Sequence, residues 1–133
     1  MRISHLDHLV LTVADLDRTV DFYTRVLGMR ATSFGDDRRA LRFGNQKINL
    51  HQVGHEFTPR ASRPTAGSGD LCFIATVPLA QVLAHLAGEG VPIESGPVRR
   101  SGATGPIDSV YVRDPDRNLI EIAVPSNSGS LPG

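Results

Sequence analysis

The sequence has one cysteine, Cys72, in 133 residues. A single thiol excludes an internal disulfide and any zinc motif of paired cysteines built from this chain alone, and it suits a reducing cytoplasm. A surplus of one charge is also missing. Lys plus Arg number 14 and Asp plus Glu number 14, so no overall field recruits nucleic acid or an anionic membrane. No run approaches the roughly 20 apolar residues of a membrane span, and the start, MRISHLDHLVLTV, lacks an apolar stretch of signal length followed by a small-residue cleavage site. These absences leave a soluble, unprocessed cytoplasmic protein as the expectation. Its length suits one compact domain over residues 1–133 with a real core, and the small polar end SNSGSLPG reads as a frayed tail without a function.

What is present is strand and helix signal in a repeated order. HLDHLVLTV, residues 5–13, is rich in β-branched and apolar residues on both faces, as in a strand covered on both sides. Asp15 then stands where an N-cap belongs, Leu16, Val20, Tyr23 and Leu27 recur at helical spacing, and Gly28 occupies a C-terminal glycine position. MRATSF, RRALRF and KINLHQV follow as short strands separated by Gly35-Asp36-Asp37 and Gly44-Asn45-Gln46. The stretch GHEFTPRASRPTAGSG is polar and rich in Gly, Pro, Ser and Thr, and reads as a linker or long exposed loop. The pattern then restarts. DLCFIATV is strand-like, Pro78 suits the first turn of a helix with the apolar stripe Leu79, Val82, Leu83 and Leu86, and that helix stops near Gly88 and Gly90. VPIESGPV, SVYVRD and NLIEIAV are three further strands. The chain thus reads as two approximate copies of a β-α-β-β-β module, residues 5–53 and 69–124, joined by a linker over 54–68.

Superposing KINLH (47–51) on RNLIE (117–121) matches His51 with Glu121, while the first strands match His8 with Asp70. Strand parity places His8 with Leu6, Val10 and Thr12, His51 with Lys47 and Asn49, and Glu121 with Leu119 and Ala123, each on the less apolar or less bulky face. Two imidazoles and a carboxylate on converging strand faces suit a divalent cation with open positions. Imidazole favours iron, nickel, zinc and cobalt, and a carboxylate suits these and manganese. Asp70 is a fourth candidate, although a residue just after Gly69 equally serves as a cap at a strand start. A lone strand histidine is more often an ordinary partly buried residue that has found a hydrogen bond. The matched positions in two copies are what raise the metal reading above that.

Other polar signals have plainer readings. His5 and His55 flank the candidates, either orienting them or standing as surface residues, and His85 reads as surface. Asp114-Pro115-Asp116-Arg117-Asn118 is a turn in which proline fixes φ, Asp caps the backbone and Asn tolerates a left-handed conformation. SGPVRRSGATGPID, residues 95–108, reads as a long hairpin connection, the alternative being a mobile flap bearing Arg99 and Arg100. Tyr111 shares a strand face with Ser109 and Arg113 and reaches a ligand if that face is concave.

LDHLVLTVADLDRTVDFYTRVLGM, the doubled module and the closing VRDPDRNLIEI together resemble the vicinal oxygen chelate superfamily, which includes glyoxalase I, fosfomycin resistance proteins, extradiol dioxygenases and bleomycin resistance proteins. The likeness runs over residues 5–124. More narrowly, GPVRRSGATGPIDSVYVRDPDRNLIEI is similar to a glyoxalase-domain-containing, virulence-protein-like group. The resemblance implies an α+β fold whose two βαβββ modules form a cupped, open mixed β-sheet barrel, with metal ligands from the first and last strands of each. Carried over residue by residue, those ligands are His8, His51, Asp70 and Glu121, and the implied cofactor is a divalent ion: Zn, Ni, Co, Mn or Fe. Asp70 departs from the histidine or glutamate usual in metal-binding members, which favours a two-histidine, one-carboxylate set. A homodimer acting on a small molecule is also implied. The implied chemistry is of the isomerase or lyase type, in which the metal grips two vicinal oxygens and stabilises an enediolate as a Lewis acid while Glu121 acts as base. An extradiol-type ring-cleaving dioxygenase is one alternative. A non-enzymatic small-molecule or drug-binding protein is another.

Overall fold

The computed structural model describes residues 1–126, so all but the first residue of the tail SNSGSLPG lies outside the described residues. Two compact units divide between Ser68 and Gly69. The first contains β1 (His8–Val13), α1 (Leu16–Arg25), β2 (Arg30–Phe34), β3 (Arg38–Phe43) and β4 (Gln46–Gln52), with strand order β1-β4-β3-β2. β1 runs parallel to β4 and the other pairs are antiparallel.

Local chemistry explains the helix. The Asp15 carboxylate accepts the Arg18 N–H at 3.0 Å and so satisfies one of the orphan donors of the first turn. At the other end Gly28 takes φ +69°, and the Met29 N–H returns to the Tyr23 carbonyl at 3.0 Å, closing the helix and turning Met29 into the core. The buried stripe is Thr19, Phe22, Tyr23 and Val26, with Leu16, Val20 and Leu27 only half-buried. It is therefore rotated about Tyr23 from the expected one. Leu27 lies beyond the helical turn, and Phe22 packs edge-on against Tyr23 at 5.3 Å. α1 rests on β2, β3 and β4, whose inward side chains Leu41, Ile48 and Leu50 are almost wholly buried.

The second unit repeats the order with β5 (Asp70–Ile74), α2 (Leu79–Gly88), β6 (Ser95–Gly102), β7 (Gly105–Arg113) and β8 (Leu119–Pro125), arranged β5-β8-β7-β6. β5 and β8 are parallel, and the remaining pairs antiparallel. The expected βαβββ module is present twice, as two four-stranded mixed sheets rather than one closed barrel. α2 buries Leu79, Val82 and Leu86, facing a floor of Val110, Val112, Ile120 and Ile122. Pro78 is the N-cap rather than a helical residue: its ψ is 152°, and its carbonyl accepts the N–H groups of Gln81 and Val82.

Two expectations are corrected here. Residues 95–108 form neither a loose connection nor a flap. They are the facing ends of β6 and β7, paired down to Gly102 opposite Gly105, with a bulge between Ser95 and Val98. Gly96 makes the bulge feasible, since it has φ +98° and a Cβ there would lie 2.5 Å from the Ser109 carbonyl oxygen. In the Asp114–Asn118 turn the left-handed residue is Arg117, φ +69°, not Asn118. Asn118 is needed elsewhere: its side chain donates to Asp114 Oδ2 at 2.8 Å and accepts the Gly69 N–H at 2.6 Å. Among the described residues no helix is long and apolar enough to cross a membrane.

Candidate functional site

In each unit the sheet face turned away from the helix carries the polar side chains. In the first unit three rows cross that face. His8, Lys47, Arg42 and Arg30 stand directly opposite one another on β1, β4, β3 and β2. Val10, Asn49, Ala40 and Thr32 form the next row, and beyond it Thr12 pairs with His51 and Phe34 with Arg38.

His8 and His51 therefore share a face but sit four ladder positions apart, about 13 Å along the strands. Their environments differ as much as their places. His8 is 42% exposed, and its Nδ1 lies 2.8 Å from Asp7 Oδ2. A carboxylate only accepts, so Nδ1–H donates and Nε2 keeps its lone pair for another partner. That bond holds the Asp7 carboxyl below its ordinary range. His51 is 7% exposed, with its ring edge-on to Phe57 at 5.6 Å and the Arg38 guanidinium 4.3 Å over the same phenyl ring. Burial first and the Arg38 charge second push the His51 pKa down, so the imidazole is held neutral. Phe57 belongs to the segment after β4, which Glu56 ties down by accepting the Gly54 N–H at 2.8 Å and pairing with Arg60 at 3.3 Å. His5 bonds Ser4 instead of either candidate.

In the second unit Asp70 is opposite Leu119, and Cys72 is opposite Glu121, so Asp70 and Glu121 are diagonal neighbours on one face. Ser109 Oγ donates to Glu121 Oε2 at 2.5 Å, fixing the carboxylate. Tyr111 is the direct antiparallel partner of Glu121, and its hydroxyl accepts from Arg100 Nε at 3.0 Å. Although Cys72 is partly open to solvent, packing around the thiol and the adjacent Glu121 charge push its pKa up to about 11, so the sulfur stays protonated. Asp108 and Arg99 pair on the opposite parity at 3.1 Å.

The ladders also revise how the two copies superpose. β1 and β4 are registered by His8 opposite Lys47, β5 and β8 by Asp70 opposite Leu119. Asp70 thus matches His8 as expected, but Glu121 matches Asn49, and His51 matches Ala123. Asn49 Oδ1 is buried without a hydrogen-bond partner, as is Thr32 Oγ1 in the same row. Among the described residues no three His, Cys, Asp or Glu side chains group closely enough to hold a metal ion. Asn49, Ser109 and Cys72 were not singled out by the sequence as site residues, and Arg100 entered only through the flap alternative. The parity of the strands was the signal that would have found the first three.

A family model described as the Glyoxalase/Bleomycin resistance protein/Dioxygenase superfamily matches residues 5–122. The chain is 56% identical over 123 residues to virulence protein STM3117 of Salmonella typhimurium, covering 92% of this chain and 85% of that protein. It is 54% identical to a glyoxalase domain-containing protein, RDO1, of Mycosarcoma maydis, covering 92% of this chain and 69% of the other. A solved integron cassette protein from the mobile metagenome of V. cholerae superposes with a TM-score of 0.93 at 58% identity, over 95% of this chain and 98% of that one. Likeness of fold alone extends to a lactoylglutathione lyase from Agrobacterium tumefaciens (TM-score 0.71, 22% identity, 93% and 96% of the two chains). It extends also to a fosfomycin resistance protein from Listeria monocytogenes (TM-score 0.62, 20% identity, 95% and 94%).

Proposed function

Because the chain belongs to the glyoxalase/bleomycin resistance protein/dioxygenase superfamily, we propose that it is a divalent-metal-dependent enzyme of the glyoxalase type, an isomerase or lyase acting on a small substrate with vicinal oxygens. The observation that carries this reading is the ladder equivalence of His8 and Asp70, with Glu121 diagonal to Asp70 on the same face. The donor chemistry fits a metal: an imidazole whose Nδ1 is occupied by Asp7, and a carboxylate steadied by Ser109. Manganese in the fosfomycin resistance protein with this fold is further support for a divalent ion.

His8, Asp70 and Glu121 are the ligands we assign. His51 joins them only if its ring leaves Phe57. Among the described residues no three such donors already stand close enough together to hold an ion, so metal retention is the direct test of this assignment. When bound, the ion supplies a Lewis acid that steadies charge on two substrate oxygens. Glu121 takes the proton next to the substrate carbonyl, and Ser109 holds it in the orientation for doing so. Tyr111, braced by Arg100, lies directly beside Glu121 and contacts the substrate.

A binding protein without catalysis is the second reading, favoured by Asn49, an amide at the position matching Glu121. Elemental analysis of protein purified without chelator or affinity nickel separates the two. Retention of a divalent ion in stoichiometric amount, lost in His8→Ala and in Glu121→Gln, is the expected result. Metal-free wild-type protein, or variants that retain the ion, would overturn the metal reading and leave the binder.

A further inference from the structure

We infer that the face of the first sheet turned away from α1 is a subsite for a small oxyanion, a carboxylate, phosphate or phosphonate group, seated on Lys47, Arg42 and Arg30. As a statement about substrate it rests on the reading of His8 given above, because His8 ends the same row; the anion subsite itself does not require the metal.

Three features of this face point the same way. Arg30, Arg42 and Lys47 are direct neighbours on successive strands, and like charges placed opposite one another in a ladder repel. In a chain with equal numbers of acidic and basic residues such a row could easily have been interleaved with carboxylates, yet the twelve positions of the three rows contain none. Four arginines elsewhere are paired: Arg25 with Asp21, Arg60 with Glu56, Arg99 with Asp108, Arg113 with Glu94. Among the described residues no ion pair joins Arg30, Arg42 or Lys47 to a carboxylate, and the acid nearest the row's β1 end, Asp7, is taken up by His8 while feeling the Lys47 charge. Lys47 instead rests its ammonium 4.0 Å over the Phe34 ring, two ladder steps along.

The second feature is the pair of buried polar atoms without partners, Asn49 Oδ1 and Thr32 Oγ1, which lie in the adjoining row. Buried polar atoms in folded proteins are nearly always bonded, so two orphans in one row indicate a missing partner. The third is access: Arg30 and Arg42 are exposed and Lys47 is half-buried, so the row is open to a solute, whereas Ala40 between the two orphans is buried.

Neighbouring strands lie about 4.8 Å apart, so the three residues span roughly 10 Å at the backbone, and their side chains are long enough to converge on one oxyanion. The row stops at β2, the sheet edge. A compact anion is therefore the fitting occupant: its oxyanion lies between Lys47 and Arg42, the Thr32 hydroxyl donates to it, and a hydroxyl of the same molecule donates to Asn49 Oδ1. With vicinal oxygens at His8, directly opposite Lys47, the substrate becomes a small hydroxy- or oxo-acid or its phosphorus counterpart.

The test is a titration of the full chain, followed by amide resonances, with chelator present throughout. Glycolate and inorganic phosphate are the anionic probes, and ethylene glycol is the neutral counterpart. Both anions are expected to shift the Asn49 and Thr32 resonances. Arg42→Gln and Lys47→Gln should each weaken binding by about tenfold, the worth of one charge-assisted hydrogen bond. Ethylene glycol should do nothing. The inference is overturned if neither anion perturbs these residues, or if the two variants bind as wild type does. It is equally overturned if a single-stranded DNA oligomer binds where glycolate and phosphate do not, which would make the face a polyanion surface. Since the chelator removes any metal, failure here leaves the metal reading standing, and failure of metal retention leaves the anion subsite standing.

Discussion

The two units carry opposite chemistry on one backbone plan. On the face turned from its helix the first sheet presents His8, Lys47, Arg42, Arg30 and Arg38 and no carboxylate, whereas the second presents Asp70 and Glu121 with a protonated Cys72 between them, and its cations Arg100 and Arg113 are bonded to Tyr111 and Glu94. Position for position, an imidazole answers a carboxylate at His8 and Asp70, an amide answers a carboxylate at Asn49 and Glu121, and an imidazole answers a methyl at His51 and Ala123. The helix-facing sides do not differ in this way. Leu41, Ile48 and Leu50 in one unit and Val112, Ile120 and Ile122 in the other are all buried and apolar. A slip of one residue in either ladder would turn that set outward, so burial pins the register while leaving the other face free to diverge. The division of donors between the units is where function is to be sought.

The sharpest way to break that division is to exchange its two ends. Glu121→Ala should lower metal retention by tenfold or more, as expected for loss of a ligand where even outer-shell partners are worth about 10–100-fold. Asn49→Ala, at the matching position in the first sheet, should leave retention unchanged. Elemental analysis of both variants decides it, and equal losses would show that the amide and the carboxylate play the same part.

The corners give a second contrast. Between β3 and β4 the chain turns on Gly44 at φ +51°. Between β7 and β8 side chains do that work: Asp114 Oδ1 accepts the N–H groups of Asp116 and Asn118, each at 2.9 Å, and Oδ2 accepts the Asn118 amide. Asn118 is wholly buried, so Asp114→Ala strands its donors, at a cost of about 2–4 kcal/mol. Hydrogen exchange should show protection lost first across residues 69–125, with residues 1–68 following later. Simultaneous loss would mean that the two units open as one.

These contrasts also show what a reader of the sequence could and could not see. The modules, the Asp15 cap, the Gly28 stop and the face assignments of His8, His51 and Glu121 follow from periodicity and capping, which are local. The match of KINLH to RNLIE failed by two residues while leaving every face correct, because a two-residue slip preserves parity and an alternating pattern is blind to it. The strand character of SGPVRRSGATGPID depends on pairing with a neighbour, and its glycines and prolines read locally as loop. Phe57 against His51, and Asn118 against Gly69, join residues that no local pattern connects.

His51 and Ala123 supply a third contrast, in pH. In the metal-free protein the folded-state pKa of His51 lies below its unfolded value of about 6.5, through burial first and Arg38 second. The unfolded chain therefore binds the extra proton, and stability rises with pH through this window and falls as pH drops below about 6.5. Urea unfolding at about pH 7.5 and about pH 5.5 should show wild type losing stability on acidification, with the loss reduced in His51→Gln. Ala123 has no such group. An undiminished loss in the variant would assign the effect to other residues.

The smallest expected effect is the most pointed, because it has opposite signs in the two units. Arg42, opposite Lys47, and Arg113, opposite Leu119, hold the same ladder position. Arg42 has cations on both sides, Lys47 and Arg30, whereas Arg113 is held in a bidentate pair by Glu94 at 2.9 and 3.0 Å. Removing Arg42 relieves repulsion, and removing Arg113 breaks an attraction. Arg42→Gln should therefore stabilise the anion-free protein by about 0.2–1 kcal/mol at low ionic strength, a gain that shrinks as salt screens the row. Arg113→Gln should shift the urea midpoint the other way. Adding phosphate should reverse the first sign, since an anion bound on the row turns Arg42 from a repelled neighbour into a contact that stabilises the folded state. A phosphate-independent gain in Arg42→Gln would leave the repulsion real and the row without its anion.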